Sequence, residues 1–184
     1  MKVEAVDNAQ LDRLLNRVAA GDAVAFETLY EEMRRPVFSM AYAVLHDTGL
    51  AEDVMQDTFL ILHEKGGLYR HDRNPSSWVF TIARNLALDR LKKHSRERAG
   101  LGEDGLPEPC ESGSFEDSVI QDTLLEQAFR VLGDAERQIV ILHLVAGLKH
   151  REIAQVMDTP LGTVLWKYRR GLHKMQAVLT ETGV

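Results

Sequence analysis

The chain has 184 residues, of which 45% are hydrophobic and 27% charged, the composition of a globular protein. No apolar run approaches the roughly 18 residues that a membrane span needs, and the N-terminal segment MKVEAVDNAQ lacks the pattern of a secretory signal. Because Cys110 is the single cysteine, an internal disulfide and a cysteine-rich zinc site are excluded, and a reducing, cytoplasmic location is expected.

The net charge of −6 is unevenly distributed along the chain. Residues 96–118 carry 2 basic and 7 acidic side chains, whereas residues 119–184 carry 8 basic and 7 acidic ones. A phosphate backbone responds to the charges within a Debye length, about 8 Å at physiological salt. The acidic average therefore does not exclude a nucleic-acid partner.

Apolar side chains at helical spacing predict four helices in the first half of the chain. The predicted helices cover residues 9–20, 23–46, 50–65 and 76–98. Asp22 is a candidate N-cap for the second helix, and Pro36 is a candidate kink within it. We expect a turn at 46–49, and we expect Gly66 to end the third helix.

Residues 96–118 have the composition of a flexible acidic linker, with four of the 13 glycines, two of the 5 prolines and no apolar periodicity. Further helices are predicted over 118–132, 134–147, 150–158 and 163–179. No segment shows the sustained alternation that is typical of a strand. We therefore expect an all-α fold of two small helical domains, residues 1–95 and residues 119–184, joined by that linker.

Residues 150–175 have the pattern of a helix-turn-helix. Ala154 is the small residue expected where two helices cross, and Pro160 and Gly162 lie where the chain turns and begins again. Thr163 is placed to satisfy open N–H groups of the second helix. That helix is basic, with no acidic residue from 162 to 175. A basic helix alone is also compatible with a solvated surface, but the turn spacing favours contacts with duplex DNA.

An acidic face is predicted on the third helix. Asp53, Gln56 and Asp57 lie at i, i+3 and i+4, and the apolar residues Val54 and Leu62 point to the other side, as does Phe59. Two carboxylates and an amide are compatible with a metal site, a general acid–base pair, a docking surface or a solvated face. His63 lies nearby but does not complete a recognisable ligand set.

Aromatic and basic side chains alternate from residue 68 to residue 98. Tyr69 and Trp78 are interleaved with arginines and lysines, a combination that suits single-stranded nucleic acid. Asn85 offers both a donor and an acceptor to a base edge. Trp78 and Phe80 are equally compatible with places in the core.

Four motifs in this order resemble the extracytoplasmic-function (ECF) sigma factors, group IV of the sigma-70-type specificity subunits of bacterial RNA polymerase. DAVAFETLY (22–30) is similar to the start of region 2, and AEDVMQDTFL (51–60) to its polymerase-binding helix. SSWVFTIARNLALDRLKK (76–93) resembles the −10 helix, and LKHREIAQVMDTPLGTV (148–164) the helix-turn-helix of region 4. The resemblance covers nearly the whole chain.

The resemblance implies the partners and site residues. Core RNA polymerase would be bound through its β′ clamp helices and β flap, and the matching clamp positions are Asp53, Gln56, Asp57 and Phe59. The positions that match the −10 recognition surface are Arg70, His71, Asp72, Arg73, Asn74, Trp78, Arg84, Asn85, Arg90, Lys92 and Lys93. The loop over 70–76 would capture a flipped base. Those that match the −35 surface are Thr163, Trp166, Lys167, Arg169, Arg170 and Lys174.

The recognition helix departs from the usual family pattern. Members commonly have G-T-V-K/R-S-R, whereas this chain has Leu165 and Trp166 between Val164 and Lys167. These departures leave the −35 sequence unpredicted. Trp166 is compatible with stacking on a sugar, with contact to a thymine methyl group or with packing inside the domain.

By the same resemblance, the chain is a transcription initiation factor that recognises −35 as duplex and −10 as melted strand. The linker would occupy the RNA exit path, and an anti-sigma factor would wedge between the domains. No catalysis, cofactor, metal or membrane insertion is expected. Two alternatives come from the residues: an autonomous helix-turn-helix repressor with an N-terminal ligand or dimerisation domain, and a metal-dependent hydrolase using Asp53, Asp57 and His63.

Overall fold

The computed structural model describes residues 7–69, 74–101 and 128–181, with side chains left out at 97–101 and 181. The described residues divide into two compact units, one within 6–112 and one within 113–184. Their regular structure is helical throughout, as the all-α prediction requires. None of the helices in these ranges is long and apolar enough to cross a membrane.

The first unit is built from four α-helices and one short 3-10 turn. The helices are α1 (Asn8–Ala19), α2 (Ala23–Leu45), α3 (Thr48–Lys65) and α4 (Pro75–Leu101), and the 3-10 turn covers Gly66–Leu68. α4 extends to Leu101, so the segment predicted as a linker begins inside a helix. The rest of that segment, 102–118, lies outside the described residues.

Short polar side chains fix the beginnings of these helices. Asp22 Oδ1 accepts from the backbone N of Ala25 at 3.1 Å, which confirms the predicted N-cap of α2. Asp47 Oδ1 accepts from the backbone N of Leu50 at 2.8 Å. Because Asp47 caps α3, that helix begins at Thr48, inside the turn expected at 46–49.

Pro36 lies within α2, which continues through it as one helix from Ala23 to Leu45. Pro36 itself is buried, as are Met33 and Val37 on either side of it. Burial on a helix that packs against α1, α3 and α4 stabilises the helical conformation around the missing N–H group.

A polar contact joins the beginnings of the first and last helices of this unit. Ser76 Oγ donates to Asn8 Oδ1 at 2.6 Å, and the two residues are 68 positions apart in sequence. Asn74 Oδ1 accepts from the backbone N of Ser77 at 2.9 Å and caps α4. The start of α4 is therefore held both by its own cap and by α1.

The second unit contains the three helices α5 (Asp134–Leu144), α6 (His150–Val156) and α7 (Leu161–Glu181). Residues 128–130 are also helical, and they are the described end of the helix predicted over 118–132. The core of the unit includes Ala128, Leu132, Val140 and Met175, against which Phe129 and Tyr168 pack.

The turn between α6 and α7 differs in detail from the prediction. Its left-handed residue is Asp158, with φ of +47°, rather than Pro160 or Gly162. Gly162 lies inside the first turn of α7, which begins at Leu161. Asp tolerates the left-handed region better than most side chains, so a turn predicted from glycine and proline alone misses it.

Candidate functional site

The third helix presents the acidic face that the sequence predicts. Asp53 and Gln56 are exposed, and the side chain of Asp57 is 44% exposed. Val54 and Leu62, on the opposite side of the helix, are buried. The carboxylates are therefore directed away from the helical core, where a partner can reach them.

Leu60 adds an apolar side chain to this surface and was missed by the sequence analysis. It is 59% exposed and lies one helical turn beyond Gln56 and Asp57. Leu60 therefore places an apolar side chain beside the two carboxylates on the exposed side of α3. We call Asp53, Gln56, Asp57 and Leu60 the α3 face.

Phe59 does not belong to the α3 face. It is 3% exposed, and its ring packs against Tyr30 with a centroid distance of 4.7 Å and against Phe26 with one of 6.4 Å. The structure thus places it in the core, on the apolar side of α3, rather than at a surface that could touch polymerase. Its neighbours on the helix, not Phe59 itself, form the exposed surface.

Arg90 crosses from α4 to the α3 face. Its Nη2 lies 3.0 Å from Asp57 Oδ2, and its Nη1 lies 3.8 Å from Asp53 Oδ2. The Arg90 side chain is 32% exposed, so the pair is partly screened by solvent. A side chain predicted to hold DNA phosphate is therefore engaged by the two carboxylates predicted to bind polymerase.

The metal alternative gains no ligand set in the structure. Across the described ranges, no group of three or more His, Cys, Asp and Glu side chains could hold a metal ion. The ring of His63 packs edge-to-face on Phe26 with a centroid distance of 5.2 Å.

A groove of about 330 Å³ lies between α3 and α4. Asn85 is exposed at this groove, and Trp78 forms part of its wall beside the buried Tyr69, with a ring centroid distance of 5.3 Å. The remaining lining side chains are Ile61, Lys65, Leu68, Ile82, Leu86 and Asp89. Its walls combine apolar side chains with the amide of Asn85 and the charged groups of Lys65 and Asp89.

The other residues predicted for −10 recognition have different surroundings. Arg70, His71, Asp72 and Arg73 lie outside the described residues. Asn74 acts as the N-cap of α4. Lys92 and Lys93 are exposed along α4, where Lys92 pairs with Asp89 at 3.6 Å, and Arg84 is half-buried.

The exposed side of α7 carries Trp166, Arg169 and Arg170. Trp166 is 56% exposed, so it does not pack inside the unit. The guanidinium carbon of Arg170 lies 5.1 Å from the centroid of the Trp166 ring, within range of a cation–π contact. Thr163 and Lys167 are half-buried on the same helix.

Glu136, which belongs to α5, pairs with two of the basic side chains of α7. It lies in the first turn of α5, and its side chain is 7% exposed. Oε2 accepts from Lys174 Nζ at 2.5 Å and from the backbone N of Gly133 at 3.1 Å, and Oε1 lies 3.2 Å from Arg170 Nε. Lys174, which the resemblance assigns to the −35 surface, is thus paired with Glu136, a residue that no sequence motif singles out.

The pKa of Glu136 reflects these partners. Burial acts to raise it, but the hydrogen bonds from Lys174 and Gly133 and the charges of Lys174 and Arg170 together bring the pKa below its usual value of 4.5. The carboxylate therefore stays ionised at neutral pH despite its burial.

Two histidines and a tyrosine pack together where the three helices of the second unit meet. The rings of His143 and His150 have a centroid distance of 4.4 Å, and Tyr168 meets each of them edge-on. His143 Nδ1 donates to the carbonyl of Leu148 at 2.8 Å. Burial, together with the nearby charges of His143 and Arg169, lowers the pKa of His150 below 6.5.

Each of the two units matches a known protein family. Residues 29–97 match the family described as Sigma-70 region 2, and residues 122–175 match Sigma-70, region 4. These two matches together cover about two thirds of the chain.

Curated relatives match over almost the whole length. The ECF RNA polymerase sigma factor SigK of Mycobacterium sp. (strain KMS) is 30% identical over 179 residues, which are 92% of this chain and 90% of that protein. The ECF RNA polymerase sigma factor BldN of Streptomyces coelicolor is 30% identical over 180 residues, which are 95% of this chain and 68% of that protein.

Solved structures share the fold. The sigma factor RpoE of Bartonella quintana, crystallised with the anti-sigma factor NepR, superposes with a TM-score of 0.66 at 23% identity and covers 84% of this chain and 96% of its own.

Proposed function

The chain belongs to the ECF family of sigma-70 factors, and we propose how its surfaces divide the work of promoter-specific transcription initiation. The α3 face binds core RNA polymerase, the groove between α3 and α4 binds the opened −10 strand, and α7 binds the −35 duplex. Residues 1–95 and 119–184 act as the two functional domains, and residues 96–118 link them.

The α3 face is the contact for the β′ clamp helices. Two carboxylates around an exposed leucine complement a basic surface that carries an apolar patch. Arg90 from α4 pairs with Asp57 and lies near Asp53, so a basic partner shares these carboxylates with it. Phe59 supports the face from the core, and the second unit contacts the β flap.

The groove receives a base extruded from the −10 element. Extrusion costs a few kcal/mol and is least costly where the duplex is already opening. Trp78 offers an aromatic wall for the base, and Asn85 offers a donor and an acceptor for its edge. Arg70, His71, Asp72 and Arg73, which the family resemblance assigns to −10 recognition, contribute to selection of that base.

Basic side chains farther along α4 follow the DNA backbone. Lys92 and Lys93 are exposed on the same helix as Asn85 and contact phosphates without specifying sequence. Arg84 is half-buried in the same helix and supports this surface.

The −35 element is recognised as duplex by α7 of the helix-turn-helix. Arg170 contacts a base edge, Trp166 lies against it, and Thr163, Lys167 and Arg169 contact the backbone. An anti-sigma factor is the regulatory partner, as for the relative crystallised with NepR. The protein acts in the cytoplasm, where polymerase is found, as an initiation factor without catalytic chemistry.

The observation that carries this proposal is the exposure of the α3 face and the groove on the same pair of helices. A factor that opens promoters must hold polymerase while it holds the melted strand, and α3 contributes to both surfaces. An autonomous repressor has no need of such a pairing.

Run-off transcription with bacterial core polymerase on a randomised promoter library tests the proposal and yields the promoter consensus. We expect transcripts that depend on the added chain and share two elements. Binding of the chain alone to duplex operators with repressor affinity, together with no capture by core polymerase, would overturn the proposal in favour of the repressor alternative.

A further inference from the structure

We propose that Glu136 is a positioning residue for promoter recognition, because it holds Arg170 beside Trp166 so that the outer edge of the guanidinium meets a guanine in the −35 duplex. The inference rests on the proposed function, since it concerns how α7 recognises DNA. We call Glu136, Trp166 and Arg170 the α7 cluster.

The carboxylate of Glu136 is held in one position. Its side chain is 7% exposed, and Oε2 is held by the backbone N of Gly133 at the start of α5 and by Lys174. A buried carboxylate that accepts from a backbone N–H group of its own helix start has little freedom of rotation. Oε1 therefore occupies a defined position relative to α7.

Glu136 and Trp166 restrain Arg170 on two sides. Oε1 of Glu136 lies 3.2 Å from Nε of Arg170, and the Trp166 ring lies 5.1 Å from the guanidinium carbon. An arginine normally loses rotamer freedom when it binds, and this loss weakens binding. Restraint through Nε and through one face means that part of the freedom is already lost before DNA arrives.

The restrained Arg170 side chain is still accessible to solvent. The Arg170 side chain is 53% exposed although it is paired. Because the ion pair is made through Nε, the two Nη amino groups remain the edge suited to O6 and N7 of guanine, the commonest bidentate contact of arginine in the major groove.

Lys174 provides a second positive charge beside the Glu136 carboxylate. Glu136 faces two cations, and the second one compensates the carboxylate while Arg170 is engaged with DNA. Trp166 stands where sigma factors of this family commonly have a small polar residue, so a cluster of this composition makes the −35 preference particular to this chain.

The test uses holoenzyme reconstituted from the full chain and bacterial core polymerase. The template library has a randomised −35 element and a −10 element fixed at the sequence that the wild type selects. Sequencing of the run-off transcripts gives the discrimination among bases at every −35 position for the wild type, Arg170→Ala, Glu136→Gln and the double variant. Glu152→Gln is the matched control. Glu152 Oε2 also accepts from a backbone N at the start of its own helix, that of Lys149, at 2.7 Å.

We expect Arg170→Ala to reduce discrimination at one −35 position by about tenfold. Glu136→Gln should reduce it at that same position by about threefold, and Glu152→Gln should leave the profile of preferences unchanged. The double variant should match Arg170→Ala, because Glu136 acts through Arg170. Thermal unfolding of each chain monitors the fold. Glu136→Asp keeps the negative charge but shortens the side chain by one methylene. It provides a second test, because it should reduce base discrimination at the same −35 position.

Equal loss of transcription on all −35 sequences in Glu136→Gln would overturn the inference and leave Glu136 with a structural role only. An Arg170→Ala variant with an unaltered profile would overturn it as well. A wild-type chain that yields no transcripts with core polymerase would instead overturn the proposed function, and the inference with it.

Discussion

Arg90 Nη2 lies 3.0 Å from Asp57 Oδ2, although the two residues are 33 positions apart and belong to different helices. The contact joins the helix that carries the α3 face to the helix that carries Asn85. The surface proposed for polymerase and the surface proposed for the −10 strand are thus connected by one ion pair. Disturbing either residue therefore changes the charge of both surfaces.

Charge reversal on the α3 face should weaken polymerase binding. We expect Asp53→Arg and Asp57→Arg each to lower capture by immobilised core polymerase by at least about tenfold, because a like charge then faces the basic clamp surface. Glu27→Arg, at an exposed position on α2, is the matched control and should retain capture. Similar losses for Glu27→Arg would show that overall charge, and not the α3 face, governs capture.

The ion pair itself should matter less for capture than the carboxylates it holds. Arg90→Gln leaves both aspartates on α3, so capture should fall by less than about threefold, as is common for a partly exposed pair. A loss as large as that of Asp57→Arg in the same assay would mean that the carboxylates act through the fold and not through direct contact.

Asn85→Ala should impair promoter opening more than polymerase binding. The side chain is exposed at the groove, and loss of its donor and acceptor should lower open-complex formation by about tenfold. Permanganate reactivity of the −10 strand measures opening, and pull-down measures polymerase binding. Equal loss in both assays would point to misfolding of the first unit.

Mild acid should destabilise the second unit through His150. Its pKa is lowered in the folded chain by burial and by the charges of His143 and Arg169, so the unfolded chain binds the proton more tightly. The contribution is therefore complete above pH 6.5 and is lost as the pH falls through the lowered pKa of the folded state.

The test compares thermal unfolding at pH 7.5 and pH 5.5 for the wild type and His150→Phe. The ring of Phe packs against His143 and Tyr168 without taking a proton, so the variant should lose less stability on acidification. His173→Phe, at an exposed site on α7, should follow the wild type. A wild-type curve with the same pH dependence as His150→Phe would contradict the assignment.

Two positions near the helix-turn-helix turn should respond oppositely to alanine. Asp158 has φ of +47°, so Asp158→Gly should be more stable than Asp158→Ala by about 1 kcal/mol. A Cβ at Gly162 meets nothing within 4 Å, so Gly162→Ala should raise the free energy of unfolding by about 0.5 kcal/mol. Hydrogen exchange of α6 and α7 amides measures both, and matching responses to alanine would contradict the turn geometry.

Local signals made much of the fold predictable. Asp22 caps α2 as expected, and the apolar positions Val54 and Leu62 are buried on the side of α3 opposite Asp53. Such features depend on residues within one or two helical turns, so periodicity and capping rules are sufficient. Boundaries were less accurate where an aspartate replaced glycine as the signal, at Asp47 and Asp158.

Contacts between helices were beyond the reach of the sequence pattern. Nothing local pairs Arg90 with Asp57, or Glu136 with Arg170, because each pair depends on how two distant segments pack. Phe59 is a different case: its helical phase predicts that it points to the same side as Val54 and Leu62, whereas the resemblance predicts a surface contact, and its burial agrees with the phase.

The hydrogen bond from Ser76 to Asn8 has a practical consequence for the handling of this protein. It brings the first turn of α1 against the first turn of α4, the helix proposed to receive melted promoter, so an affinity tag attached directly before Asp7 would begin next to that helix. Purification handles for transcription assays are better placed after residue 181, or removed by protease before reconstitution.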